Sequence, residues 1–171
     1  KSITSYYFES LYFVSKLLYN QNSNKWVTKL ITSVFTLSIF LRNNFKTNES
    51  IKLQFEIIEI LKNLYKKNPT KWNNFYITCL TNQAAFLRNT GNKIESIKFN
   101  KEALSITKCL YESDTDIWCY HYTTILNNLA MSLKDVGHVS EAIELEREAL
   151  CIRKPLHEND LISWNKEYTI S

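Results

Sequence analysis

A side-chain amide carries a donor and an acceptor together, so it can pair with a peptide group whatever side chain that group bears. Two such amides, Asn82 and Asn128, stand 46 residues apart in this chain, with Asn127 beside the second. A cationic series, Arg42, Arg88 and Lys134, keeps the same step. It could meet an acidic side chain or a terminal carboxylate. The bland reading of that series is a cation in the last turn of a helix, which the helix dipole alone favours by about 0.3–1 kcal/mol. Thr78 and Thr124 form a third pair at the step. Catalytic chemistry has no comparable footing. His121, His138 and His157 fall at unrelated positions, and the chain carries no HExxH, nucleophile elbow or phosphate-binding glycine loop. No enzyme activity, no metal site and no cofactor are therefore expected. Cys79, Cys109, Cys119 and Cys151 form no CxxC pair and stand beside no histidine at ligand spacing. That pattern suits reduced thiols in an intracellular, cytoplasmic setting.

The shared step belongs to the whole chain. Its four tryptophans are Trp26, Trp72, Trp118 and Trp164, each 46 residues after the last. Leu18, Leu64, Leu110 and Leu156 repeat in the same way, as do Leu41, Leu87 and Leu133, Glu49, Glu95 and Glu141, and Ile51, Ile97 and Ile143. A fixed period across so many columns is an internal repeat without insertions. Each unit divides at Phe45, Gly91 or Gly137, and both halves carry apolar residues at helical spacing. Tyr122, Ile125, Leu126, Leu129, Ala130 and Leu133 mark the first helix of the third copy, and Ala142, Ile143, Leu145, Ala149, Leu150 and Ile152 mark the second. Glycine suits a left-handed residue after a helix. Phe45 breaks that column, so the first turn is expected to be looser or differently built. Asn48 and Ser140, each followed by Glu, are expected to cap the second helices.

This gives an all-α reading with 1–25 as the second helix of a preceding repeat, then repeats 26–71, 72–117 and 118–163, and the start of another at 164–171. The whole of 1–171 reads as one repeat domain, an excerpt of a longer array with further repeats expected at both ends. Gly and Pro number only two each, 44% of residues are hydrophobic and 22% charged, which excludes disorder and turn-dense β-sandwiches. The apolar runs around 11–19 and 30–41 are interrupted and too short for a membrane span. The net charge of +4 is mild. Lysines of the second helices, such as Lys62, Lys98, Lys101 and Lys108, are interleaved with Glu56, Glu59 and Glu102, which reads as a mixed solvated face.

The run Ile125–Leu133, Gly137, Glu141-Ala142 and Glu148-Ala149-Leu150 resembles the tetratricopeptide repeat. It is closest to the long-repeat type of kinesin light chain and signalling-ATPase sensor arrays. The second copy keeps Asn82, Ala84, Leu87, Gly91, Glu95, Ala103 and Leu104. The first departs most, with Ser38, Ser50 and Ile57 at the small positions, so its helices are expected to stand further apart or tilt. The resemblance implies a right-handed α-solenoid of antiparallel helix pairs whose first helices line a concave, ligand-binding face. On it would lie Asn82, Asn127, Asn128, Arg42, Arg88, Lys134, Thr78 and Thr124, the asparagines matching a ladder that holds an extended peptide. The chaperone-type carboxylate clamp is absent, because Thr78, Thr124, Thr81 and Asn127 occupy its cationic positions. A protein- or peptide-binding scaffold or sensor module follows. The alternatives are nucleic-acid binding through the Lys-rich second helices and a spacer with no groove ligand. Each Trp is expected to pack on the Leu-Tyr pair that ends the preceding helix.

Overall fold

Long helices separated by one to four residues leave a chain little choice but antiparallel hairpins. The computed structural model of the protein has this form. It describes the backbone of residues 3–168 and, within that span, the side chains of residues 4–23 and 25–154. Seven helices follow in order among the described residues: α1 (Ile3–Gln21), α2 (Ser23–Asn43), α3 (Thr47–Lys67), α4 (Pro69–Asn89), α5 (Lys93–Ser113), α6 (Thr115–Lys134) and α7 (Val139–Tyr168). The described residues contain no strand. The result is an all-α array of repeated helix pairs, with α2, α4 and α6 as first helices and α3, α5 and α7 as second helices. Its residues gather into two compact units, Lys1–Cys79 and Leu80–Ser171.

In the first unit Val27, Leu30, Ile31, Val34, Leu37 and Leu41 of α2 are buried, as are Ile57, Ile58 and Leu61 of α3. Phe8 of α1 meets Phe40 of α2 at 5.1 Å between ring centroids. In the second, Leu129, Ala130 and Leu133 of α6 pack on Ala142 of α7, with Ile97, Leu104 and Leu145 around them. Ala130 and Ala142 are both fully buried, so small side chains sit where α6 and α7 meet. The equivalent pair in the first unit is Ser38 and Ser50, both buried and joined by a hydrogen bond. Ser50 Oγ donates to the Ser38 carbonyl at 2.9 Å, because a serine barely larger than alanine can bury its hydroxyl by bonding a carbonyl.

The three turns within repeats are built alike. Gly91 and Gly137 have φ of +88° and +87°, as a left-handed residue requires. Gly91 N–H bonds the Arg88 carbonyl and Asn92 N–H that of Leu87; Gly137 N–H bonds Lys134 and His138 N–H bonds Leu133. Phe45 corrects the expectation of a different first turn. It takes φ of +59° itself, with the same pair of bonds, Phe45 N–H to Arg42 and Lys46 N–H to Leu41.

Capping also differs from expectation. Asn48 and Ser140 lie inside the first turns of α3 and α7, and Lys46, the residue before α3, makes no side-chain cap. The side-chain caps belong to the first helices: Asn22 accepts from Lys25 N–H, Asn68 from Lys71 N–H and Asp114 from Ile117 N–H. These caps are again one repeat step apart. Tyrosines of the first helices stack on the tyrosines that end the previous second helix. Tyr76 meets Tyr65 at 5.4 Å and Tyr122 lies parallel to Tyr111 at 4.8 Å. Trp72 and Trp118 are buried, with ring contacts to Phe75 and His121 of their own helices.

The start of a further repeat expected at 164–171 falls, as far as it is described, within α7, which runs unbroken to Tyr168. The side chains of Trp164 and Tyr168 lie outside the described residues.

Candidate functional site

The expected ligand face is best followed within the second unit, where the end of α4, the α6 helix and the turn after it carry most of the named residues. Asn82 is exposed on α4, and Asn127 and Asn128 are half-buried on α6. None of the three side-chain amides bonds another described residue; the Asn128 contribution to the interior is its carbonyl, which accepts from Ser132 Oγ at 3.0 Å and Asn100 Nδ2 at 3.4 Å. That places the interior polar work on a separate row. Ser96 and Ser132 hydroxyls lie 3.0 Å apart, and Asn100 Nδ2 donates to Ser132 Oγ at 3.1 Å, joining α5 to α6. The three outward amides keep their donors and acceptors available.

The cationic series is placed differently. Arg88 Nε donates to Asp135 Oδ2 at 2.7 Å, tying α4 to the turn between α6 and α7. The Arg88 guanidinium holds the Asp135 carboxyl below the usual carboxylate range. Lys134 Nζ reaches both oxygens of Glu146 on α7, at 2.7 and 2.8 Å. These two cations are therefore neutralised by the protein. Sequence reasoning missed both partners, although each had a signal. Asp135 stands in a column otherwise filled by Asn43 and Asn89, and Glu146 in one whose preceding two copies hold Gln54 and Asn100. Both are places where one copy exchanges an amide for an acid. Arg42 lies in the first unit, exposed and without an ion pair among the described residues.

Of the two threonines, Thr78 is exposed on the α4 segment that belongs to the first unit. Thr124 is engaged: it donates to the Tyr120 carbonyl at 2.7 Å and accepts from Arg153 Nη2 at 3.3 Å. Arg153 also donates to Thr123 Oγ1 at 2.9 Å and lies over the Tyr120 ring at 5.9 Å. This α7 residue was not anticipated, because its column otherwise holds Ser15, Leu61 and Thr107, all buried.

The titrating groups that depart from ordinary behaviour explain packing rather than reaction. Burial pushes the Cys79 thiol up to about 12, so it is an inert core residue. Tyr122 is raised by burial and by donating to Glu148 Oε1 at 2.6 Å. Tyr12 is raised by burial, and Lys16 is raised chiefly by its bond to Glu56; Tyr12 donates to Glu56 at 3.0 Å while Lys16 bridges to it at 2.6 Å, stapling α1 to α3. Among the described residues no group of His, Cys, Asp and Glu is placed to hold a metal ion, and no helix is long and apolar enough to cross a membrane. Three lysines of the second helices are paired with acids: Lys98 with Glu95, Lys101 with Glu141 and Lys16 with Glu56.

Comparison with known proteins bears on the fold. Residues 123–160, from α6 into α7, match the tetratricopeptide repeat. Among solved structures the chain is similar to BtubC (BKLC) from P. vanneervenii, with a TM-score of 0.67 and 20% identity, over 90% of this chain and 57% of that one. At this identity the likeness is one of fold, and the chain spans little more than half the length of that protein. No curated protein matches the sequence.

Proposed function

From an all-α array of the tetratricopeptide type, we propose that this chain is a protein-interaction module which holds an extended peptide segment along the first helices of its second unit. One observation carries the reading: Asn82, Asn127 and Asn128 offer side-chain amides with no partner on the described protein. The cations nearest in the repeat, Arg88 and Lys134, are already bound to Asp135 and Glu146. Recognition then rests on backbone-type hydrogen bonds rather than on charge, and the ligand is a peptide of no required acidity. Net hydrogen-bond contributions of about 0.5–1.5 kcal/mol each make such a site modest in affinity and broad in sequence.

Nucleic acid is disfavoured as a partner by the acids interleaved with the second-helix lysines, three of which pair with Lys16, Lys98 and Lys101, since a phosphate backbone needs a continuous excess of cations. The test is selection of random dodecapeptides on the 171-residue chain, followed by titration between 50 and 200 mM salt. The amide site predicts affinities that change by less than about threefold over that range. A loss of roughly a thousandfold, as for ligands held by many phosphate contacts, or no selected peptide at all, would contradict it.

A further inference from the structure

The exposed face of α6 differs from the faces that α2 and α4 present at the same repeat positions. Ile117, Tyr120, Thr124, Asn127, Asn128 and Met131 recur at intervals of three and four residues and so share one side of the helix. Ile117, Tyr120 and Met131 are 65%, 69% and 40% exposed. Their columns hold Lys25, Thr28 and Ile39 in the first copy and Lys71, Asn74 and Ala85 in the second, all of them exposed. Packing of the repeat does not use these positions, so it does not explain why α6 fills all three with large apolar side chains. From Ile117 to Met131 the helix carries no Asp, Glu, Lys or Arg. The unpartnered amides lie between the apolar residues, Asn127 seven residues after Tyr120 and Asn128 three before Met131. At 1.5 Å per residue these gaps are roughly 10 Å and roughly 5 Å along the helix. Both flanks are held in place. Arg153 lies over the Tyr120 ring at 5.9 Å while its Nε and Nη2 donate to Thr123 and Thr124. Arg88, its charge met by Asp135, reaches the Met131 sulfur at 4.0 Å.

We infer that this face selects the side chains of the peptide: it takes an extended segment with two adjacent apolar residues, a large one directed to Tyr120 and Ile117 and a smaller one directed to Met131. The inference rests on the amide site proposed above, and three arguments lead from that site to this ligand. The first is hydrogen bonding. The amides require peptide groups whose own bonds are not yet made. A helix has used its backbone groups and a lipid chain has none, so either would bury the amides unpaired at the full cost of their desolvation. An extended segment offers such groups along its edge. The second is direction. A segment that crosses from Asn82 on α4 to Asn128 on α6 with that edge toward the protein sends successive side chains alternately to its two sides. Those sides are the two ends of α6. Tyr120 stands about twice as far from the amides as Met131, so the side chain that reaches it is the larger. The third is charge. With none on α6 between Ile117 and Met131, apolar side chains are the complementary ones, because a charged group would give up hydration without gaining a partner on that helix.

Sequencing the dodecapeptides that the 171-residue chain selects from a random library tests the inference. Adjacent apolar residues, one of them aromatic or as large as Leu, should be enriched, and acidic residues should not. For one such peptide, Ile117→Ser with Tyr120→Asn should weaken binding by about tenfold or more. It should also relax the large position alone, so that exchanging that peptide residue for Ala then costs less than about threefold. Met131→Ala should relax only the neighbouring position, with a loss of about threefold. Tyr120→Phe should bind as the parent does. Should the double variant lose helical circular dichroism, Tyr120→Asn alone gives the deciding measurement. Selected peptides that lack the apolar pair or carry acids in its place would overturn the inference alone. So would binding that survives the Tyr120 and Met131 variants yet is lost in Asn82→Ala plus Asn128→Ala. No selected peptide at all would overturn the amide site with it.

Discussion

The turn between α2 and α3 and the turn between α6 and α7 make the same two backbone hydrogen bonds at nearly the same lengths, 3.2 and 2.9 Å against 3.1 and 3.0 Å. Yet one turns on Phe45 and the other on Gly137. A phenylalanine 96% exposed has no packing to hold it at φ of +59°. The helices on either side impose that conformation, through buried Leu41 on one side and buried Ser50 and Ile57 on the other. Glycine therefore lowers the cost of the turn without being what makes it. Left-handed backbone costs a side-chain-bearing residue about 1–2 kcal/mol, and the first unit carries that strain.

The comparison breaks most directly at the core. If helix packing dictates the turn in both units, Leu41→Ala and Leu133→Ala, equivalent and both buried, should each destabilise by about 2–5 kcal/mol in urea titration. A silent Leu41→Ala would mean the first unit is held by something else. Exchanging the turn residues sharpens it. Nothing lies within 4 Å of a Cβ added at Gly137, so Gly137→Phe should cost only the backbone strain, about 1–2 kcal/mol. Phe45→Gly should gain about 0.5–1 kcal/mol, less than the strain because glycine also gains freedom in the unfolded chain. Equal stability of both variants with the parent would show that the two turns differ in ways their hydrogen bonds conceal.

What the sequence made legible followed from columns. The helix pairs and both glycine turns could be read because core positions and punctuation recur every 46 residues. The caps could have been read too, since Asn22, Asn68 and Asp114 share the step, but Asn48 and Ser140 offered an equally good local pattern. Phe45 could not, because its backbone answers to tertiary packing rather than to its own preference. At the site, the amides were legible as a repeated chemistry, whereas the neutralisation of Arg88 and Lys134 was not. It rests on Asp135 and Glu146, single departures from their columns, and on pairings between different helices.

The smallest effect concerns one of those pairings. The Asp135 carboxyl is held below its ordinary value, near 4, by Arg88. Its contribution is therefore present above that value and lost as pH falls through the lowered folded value. Asp135→Asn should slightly flatten the acid side of the stability profile below about pH 4 and leave neutral stability nearly unchanged, as surface pairs do. It should also free Arg88 and make peptide binding more dependent on acidic ligands, a difference the first unit's unpaired Arg42 already models.

The amide account stands or falls on isothermal titration of a selected peptide with the parent chain and with Asn82→Ala plus Asn128→Ala. Losing two hydrogen bonds should weaken binding by about 1–3 kcal/mol in all, with salt dependence unchanged. Identical affinity in the two proteins would remove these asparagines from the site and contradict the account.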